Sequence, residues 1–151
     1  MIKIAYPVYP YKIKTNNGRE QIFDSVRKKW VLLTPEEWVR QNFLQYLLQV
    51  KRYPRTLLAV EKEIRLGELT KRCDIIVYKN PTTPLLIAEC KAMDVPINAA
   101  VAEQIIRYNM ALPVRYLVIT NGSYCFAFER TAGACIALTE IPAWEQQEED
   151  E

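Results

Sequence analysis

Two apolar runs, each meeting an acidic residue, constrain this chain most. Ile75-Ile76-Val77-Tyr78 follows directly on Asp74, and Leu85-Leu86-Ile87-Ala88 runs into Glu89-Cys90-Lys91. Short apolar runs bounded by turn residues read as buried strands. Alternation along a strand puts Glu89 and Lys91 on one face and Cys90 on the other. If the two strands pair, two carboxylates and an ammonium meet at one spot. Acidic oxygens suit a hard divalent cation such as Mg²⁺, and an adjacent lysine suits an activated water or a phosphate. Such a set is suited to metal-assisted phosphodiester hydrolysis. The bland reading of Glu89 and Lys91 is an exposed ion pair near a strand end, but the apolar run before Glu89 argues for burial, where unpaired charge is costly.

The elements around these runs can be read in order. Residues 1–20 are rich in Pro, Tyr and Asn and end in Asn16-Asn17-Gly18, which predicts an irregular arm or a short hairpin. Ile22 to Val31 mixes apolar and basic residues and is either a strand or a docking segment. Thr34 is an N-cap candidate, Pro35 fits the first helical position, and Glu37 completes a capping box. The helix is expected to run to about Val50, where Tyr53-Pro54 ends it, with Trp38, Phe43, Leu44, Leu47 and Leu48 on its apolar side. Trp30 and Trp38 are a core pair or a staple at the helix start.

Three strands follow, over Leu57–Ile64, Arg72–Tyr78 and Pro84–Lys91, with Gly67 and Asn80-Pro81 in the turns. A second helix is predicted over Asn98 to Leu112, its stripe formed by Val101, Ile105, Tyr108 and Met110 or Leu112, and Pro113 stops it. Val114–Thr120 is a nearly continuous apolar strand, of the kind buried on both faces. Asn121-Gly122 turns into a returning strand, Tyr124–Phe128, and Ala134 to Leu138 is a candidate for one more. The fold class is α/β (α+β): helix, three strands, helix, strand, in a mixed sheet flanked by helices, with a C-terminal β-hairpin extension. The crossover from the third strand to the fourth makes those strands parallel or nearly so, and right-handed.

A chain of 151 residues is enough for one domain and one sizeable core. The expected division is an N-terminal arm over 1–33, a core domain over 34–140 and an acidic tail over 141–151. Net charge is only +2, but the segment from Ala143 to Glu151 holds an acidic run and no basic residue, leaving a basic body. That body fits a polyanionic partner or a solvated surface. The chain has no histidine, which excludes Ser-His-Asp and Cys-His catalysis and Cys/His zinc sites. Cys73, Cys90, Cys125 and Cys135 form no C-x-x-C pair and lie in apolar surroundings, as expected of small buried thiols in a reduced, cytoplasmic protein. The N-terminus lacks a signal-peptide core, and no apolar run is long enough to span a bilayer.

The order of elements and the residues Asp74, Glu89 and Lys91 resemble the PD-(D/E)XK nuclease superfamily, with Cys73 standing where the name has proline. Gln104-Ile105-Ile106-Arg107-Tyr108 resembles the Q-x-x-x-Y motif of exonuclease-like and recombination-linked members. Longer stretches look like stand-alone relatives of the N-terminal nuclease domain of type I restriction enzyme R subunits: Leu33–Gln41, Lys71–Ile75, Ala88–Ala92, Gln104–Asn109 and Thr120–Gly122. Together they cover roughly residues 20 to 130.

This resemblance implies a restriction-endonuclease-like core and a metal-dependent DNA endonuclease or exonuclease. Asp74 and Glu89 would bind one or two Mg²⁺ (or Mn²⁺), with the backbone carbonyl of Cys90 as an extra ligand. A glutamate of the first helix would join them, Glu37 rather than Glu36, although Glu37 is also the capping-box glutamate. Lys91 would orient or deprotonate water and stabilise the phosphate, and Gln104 and Tyr108 would steady the site or touch the DNA backbone. Arg27, Lys28, Lys29, Arg40 and Arg107 are the candidates for phosphate contacts. The expected partners are DNA, a second copy in a homodimer, and a motor or specificity subunit, since the chain has no G-x-x-x-x-G-K-[ST] sequence of its own; no membrane is expected. The alternative is a nucleic-acid-binding or protein-interaction module that keeps the nuclease fold with little or no catalysis.

Overall fold

The computed structural model describes residues 1–144. The acidic run over 145–151 lies outside the described residues. The described residues form two sheets and two α-helices.

The first sheet is an antiparallel meander of β1 (Ile13–Asn16), β2 (Arg19–Asp24) and β3 (Lys29–Leu32). Asn17 and Gly18, at φ 54° and 75°, make the tight turn between β1 and β2. Two successive left-handed residues match the right-handed twist of the strands they join. The Asn-Gly step therefore forms the hairpin alternative, and the segment after it is the second hairpin of the meander. Trp30 packs edge-on against Phe23, whereas Trp38 packs against Tyr11, so the two tryptophans anchor separate clusters.

Helix α1 spans Pro35–Gln49, and the Thr34 hydroxyl accepts the Glu37 N–H at 3.0 Å. Its buried row is Val39, Phe43, Leu44 and Leu47. The large sheet follows, in the order β4 (Leu58–Leu66), β5 (Leu69–Asn80), β6 (Thr83–Cys90), β7 (Tyr116–Thr120), β8 (Cys125–Thr131) and β9 (Ala134–Ala137). Among the described residues only the β6–β7 pair is parallel, and α2 (Ala99–Tyr108) lies in the crossover between its strands. Every residue of β7 is buried, as a continuous apolar run in a central strand requires.

The sheet carries a core on each face. Toward α1 it packs Ile75, Val77, Leu86, Ala88 and Val118 against the helix's buried row. Toward α2 it packs Ile76, Ile87 and Leu117 against Ile106, Leu112 and Val114. Burying each of the larger side chains, Val, Leu, Ile or Phe, stabilises the fold by roughly 1.5–3 kcal/mol. Two segments outside the expected core domain contribute to it. Ile2 is buried and donates its N–H to Cys125 at 2.7 Å. Ile141 is wholly buried, the Tyr53 hydroxyl donates to the Pro142 carbonyl at 2.6 Å, and Trp144 packs against Tyr53.

Helix α2 is shorter than its sequence signals suggest and turned by about one residue. Ala102 and Ile106 are its buried residues, while Val101 and Tyr108 are exposed. The small side chain of Ala102 lets the helix approach the sheet through that row. No helix among the described residues is long and apolar enough to cross a membrane.

Candidate active site

The register of the β5–β6 pair builds the centre of the site. Ile75 faces Ala88 and Ile76 faces Ile87, so one further step sets Asp74 across from Glu89. Asp74 Oδ2 accepts the backbone N–H of Cys90 at 2.8 Å, which pins its carboxylate to the end of β6. Lys91 follows immediately, anchored by its N–H on the Thr120 carbonyl at 2.8 Å, and its Nζ lies 3.2 Å from Glu89 Oε1. Asp74 and Glu89 share the lining of a small cleft with Lys71, Arg72, Cys73 and Asn109. The Cys90 side chain points the other way, into the α1-side core.

The backbone is distorted beside this cleft. Val60 faces Ile75 and Lys62 faces Cys73, so Glu61 stands opposite Asp74, and Glu61 adopts φ 51°. A left-handed residue inside a strand interrupts the alternation of faces. Accordingly Val60 and Ile75 pack on the α1 side, whereas Ile64 and Cys73, beyond the distortion, pack on the α2 side. Such a conformation costs on the order of 1–3 kcal/mol for a non-glycine residue. It delivers the Glu61 carboxylate to three guanidinium groups, Arg27, Arg40 and Arg72, each at 3.3 Å.

These contacts belong to a larger ionic cluster between β2, α1 and the large sheet. The wholly buried Asp24 accepts the N–H groups of Val26 and Arg27, the Arg27 Nε and the Gln41 amide, at 2.7 to 2.9 Å. Arg27 continues to Glu37 at 2.9 Å. Arg40, 5% exposed, reaches Glu37 at 2.8 Å and Asp74 at 3.0 Å. Burial alone would push the Asp24 carboxyl up. The hydrogen bonds from Arg27 and Gln41 override it and hold the group below the usual carboxylate range. Burial likewise works against the charge on Arg40, but the carboxylates of Glu37, Asp74 and Glu61 prevail and raise it above its ordinary value. A cleft of about 460 Å³ opens onto this cluster, lined by Trp30, Glu36 and Lys29 among others.

Residues 35–142 match the family described as type I restriction enzyme R protein N terminus (HSDR_N). The chain belongs to this family. The match starts with α1 and ends beyond β9, so the β1–β3 meander lies outside it. No curated protein matches the chain. Among solved structures, the fold is similar to a fragment described as an HsdR subunit of a type I restriction enzyme from Vibrio vulnificus YJ016. The TM-score is 0.56 and the identity 17%, over 78% of this chain and 25% of that one. This chain thus spans about a quarter of that chain's length, and the likeness is one of fold. It is a restriction-enzyme N-terminal domain of nuclease-like architecture.

Within this family member, the expected site residues divide into those that meet and those that do not. Asp74, Glu89 and Lys91 come together as the strand pattern requires. Glu37 does not join them: its carboxylate lies between Arg27 and Arg40, and Arg40 separates it from Asp74. Arg27 and Arg40 are likewise engaged with internal carboxylates rather than presented to a phosphate. Charges distant in sequence meet here through tertiary packing, which local spacing does not reveal. Lys28 is partly exposed and Lys29 exposed, and Arg107 is exposed and paired with Glu103 at 3.1 Å.

Gln104 is exposed and outside the cleft lining. Tyr108 is 78% exposed, with Lys71 Nζ 4.4 Å above its ring, on the rim of a neighbouring groove. The residue that the end of α2 contributes to the cleft is instead Asn109. Its only sequence signal is its place directly after the Q-x-x-x-Y match.

Among the described residues, no group of three or more His, Cys, Asp or Glu stands together as a metal cluster. The cleft still offers oxygen donors: two carboxylates, Asp74 and Glu89, and the lining residue Asn109, whose buried carbonyl oxygen has no hydrogen-bond partner among the described residues. Oxygen donors of this kind fit a hard cation such as Mg²⁺ or Mn²⁺.

Proposed function

We propose that this chain is a metal-dependent nuclease domain that hydrolyses DNA phosphodiester bonds within a restriction system. The observation that carries the reading is the meeting of Asp74 and Glu89 across the β5–β6 pair, with Lys91 Nζ 3.2 Å from Glu89. Asp74 and Glu89 would hold Mg²⁺ or Mn²⁺ through their carboxylates. Their site would thereby gain Lewis-acid polarisation of the scissile phosphate and neutralisation of charge on the leaving oxygen. Lys91 Nζ orients the attacking water and donates to the negative phosphate oxygens. Gln104 and Tyr108, being exposed, serve the DNA backbone beside the cleft.

DNA is the partner that the exposed cations fit. Lys29 and Arg107 are exposed, and so are Lys12, Lys14 and Arg19; Lys28 is partly exposed. Contacts of this kind make binding fall steeply with salt. The HsdR relationship supports a working assembly in the cytoplasm with a motor or specificity subunit, and a homodimer would bring two clefts to a duplex. One observation favours the second reading, a binding module without catalysis: Asp74 has Oδ1 on Arg40 and Oδ2 on the Cys90 N–H.

A cleavage assay separates the two. Supercoiled, linear, single-stranded and branched DNA are incubated with Mg²⁺ or Mn²⁺ and wild type, Glu89→Ala or Lys91→Ala. The nuclease reading expects cutting that requires metal, is abolished in Glu89→Ala, and falls about 10²- to 10⁴-fold in Lys91→Ala. Folded wild type that binds DNA and cuts none of the substrates speaks for the binding module. Equal cutting by all three proteins removes the assignment of this cleft.

A further inference from the structure

We infer that Asn109 is a third oxygen ligand of the cation held by Asp74 and Glu89. The inference rests on the nuclease reading only for the presence of that cation. Asn109 is 6% exposed, and its Oδ1 is buried without a hydrogen-bond partner among the described residues. A buried acceptor left in that state costs about 1–3 kcal/mol, so native structures rarely carry one without a use.

The orientation of the amide follows from its other half. Nδ2 donates to the Ile105 carbonyl at 2.9 Å, an acceptor that only the NH₂ group can satisfy, so the carbonyl oxygen must be the unpartnered atom. The backbone of Asn109 is fixed too, because its N–H caps α2 on the carbonyls of Ile105 and Ile106 at 3.1 and 3.0 Å. Asn109 thus stands on a rigid helix end and is one of the residues that line the cleft of the two carboxylates.

None of the nearby donors among the described residues reaches the Asn109 oxygen. Lys71 lies over the Tyr108 ring, Arg72 pairs with Glu61, and Lys91 with Glu89. A hard divalent cation is the partner that would satisfy a neutral amide oxygen and two carboxylates at once. Two negative charges and one neutral oxygen balance a 2+ ion and leave its other positions to water and phosphate oxygens.

The test is Mn²⁺ binding by the whole chain, followed as loss of the free-ion paramagnetic resonance signal. Wild type is compared with Glu89→Gln, Asn109→Leu and Asn109→Asp. Wild type should bind, Glu89→Gln should lose binding, and Asn109→Leu should weaken it by about tenfold or more. Asn109→Asp gives up the Nδ2 donor to Ile105 but supplies a charged oxygen to the cation, and should bind at least as tightly as wild type. Asn109→Leu binding as wild type does, while Glu89→Gln fails, overturns the role of Asn109 and leaves the nuclease reading standing. If Asn109→Leu does not fold, Asn109→Asp decides, and weaker binding than wild type overturns the role. No binding by folded wild type overturns both.

Discussion

Arg40 Nη2 donates to Asp74 Oδ1 at 3.0 Å, tying the first helix to the second strand of the large sheet at the cleft itself. The same guanidinium holds Glu37 at 2.8 Å from a buried position. Replacing it leaves Asp74 without its cation and Glu37 with Arg27 alone. Arg40→Met should therefore destabilise the fold by about 3–5 kcal/mol, the usual cost of breaking a buried pair from one side. Urea unfolding would show this as a lower midpoint with an unchanged slope. Arg40→Lys should rescue only part of the loss, because a single ammonium lacks the planar fork that spans both carboxylates. An unchanged midpoint in Arg40→Met would falsify the structural role of the cluster.

Glu37 allows a cleaner separation between stability and metal. Its carboxylate contacts Arg27, Arg40 and Gln41, and Arg40 lies between it and the cleft. Glu37→Gln should lower stability and leave Mn²⁺ affinity as in wild type. Calorimetric titration of both proteins with Mn²⁺ checks it. A marked loss of affinity in the variant would return Glu37 to the ligand set.

The buried Asp24 predicts how the protein responds to acid. Burial opposes its charge, but hydrogen bonds from Arg27 and Gln41 win, so its folded-state value lies below its unfolded one. A depressed carboxylate contributes stability that is complete above the unfolded value, about pH 4, and is lost as pH falls through the folded value. Glu61 shifts in the same direction: burial again opposes its charge, and Arg40, Arg27 and Arg72 prevail. Asp24→Asn should be less stable than wild type at neutral pH and should lose less on acidification. Urea midpoints measured from pH 7 down to pH 3 test this. Parallel curves for the two proteins would remove Asp24 as a source of the acid sensitivity.

What could be read from the sequence and what could not divide along one physical line. Features set by neighbours in the chain were legible. Thr34-Pro35 starts α1, Asn17-Gly18 turns the first hairpin, and the apolar runs around Asp74 and Glu89 pair so that the two carboxylates meet. Features set by tertiary partners were not. The capping-box pattern at Glu37 conceals its use by Arg27 and Arg40, whose own charges looked like a surface for phosphates. The apolar residues of α2 allow two neighbouring faces, and only packing through Ala102 and Ile106 turns Tyr108 outward and brings Asn109 to the cleft. Glu61 carries no glycine or turn signal to announce its left-handed backbone. Ile141, at the start of an acidic stretch, looked like tail and is core.

The thiols supply the last prediction. All four cysteines are free, and burial raises each of them: Cys73 to about 11, Cys125 to about 12 and Cys90 well above its ordinary value. The half-buried Cys135 is raised as well, again by burial. The thiolate is the reactive form, so near pH 8 the native protein should react slowly with iodoacetamide. Cys135, the most accessible of the four, should label first, with Cys73, Cys90 and Cys125 following only as the fold opens. Peptide mapping after brief alkylation, with and without urea, tells the sites apart. Rapid native labelling of Cys90 would mean that its thiol is not sealed in the core behind α1, and the packing that holds Asp74 on the Cys90 N–H would have to be looser than this fold allows.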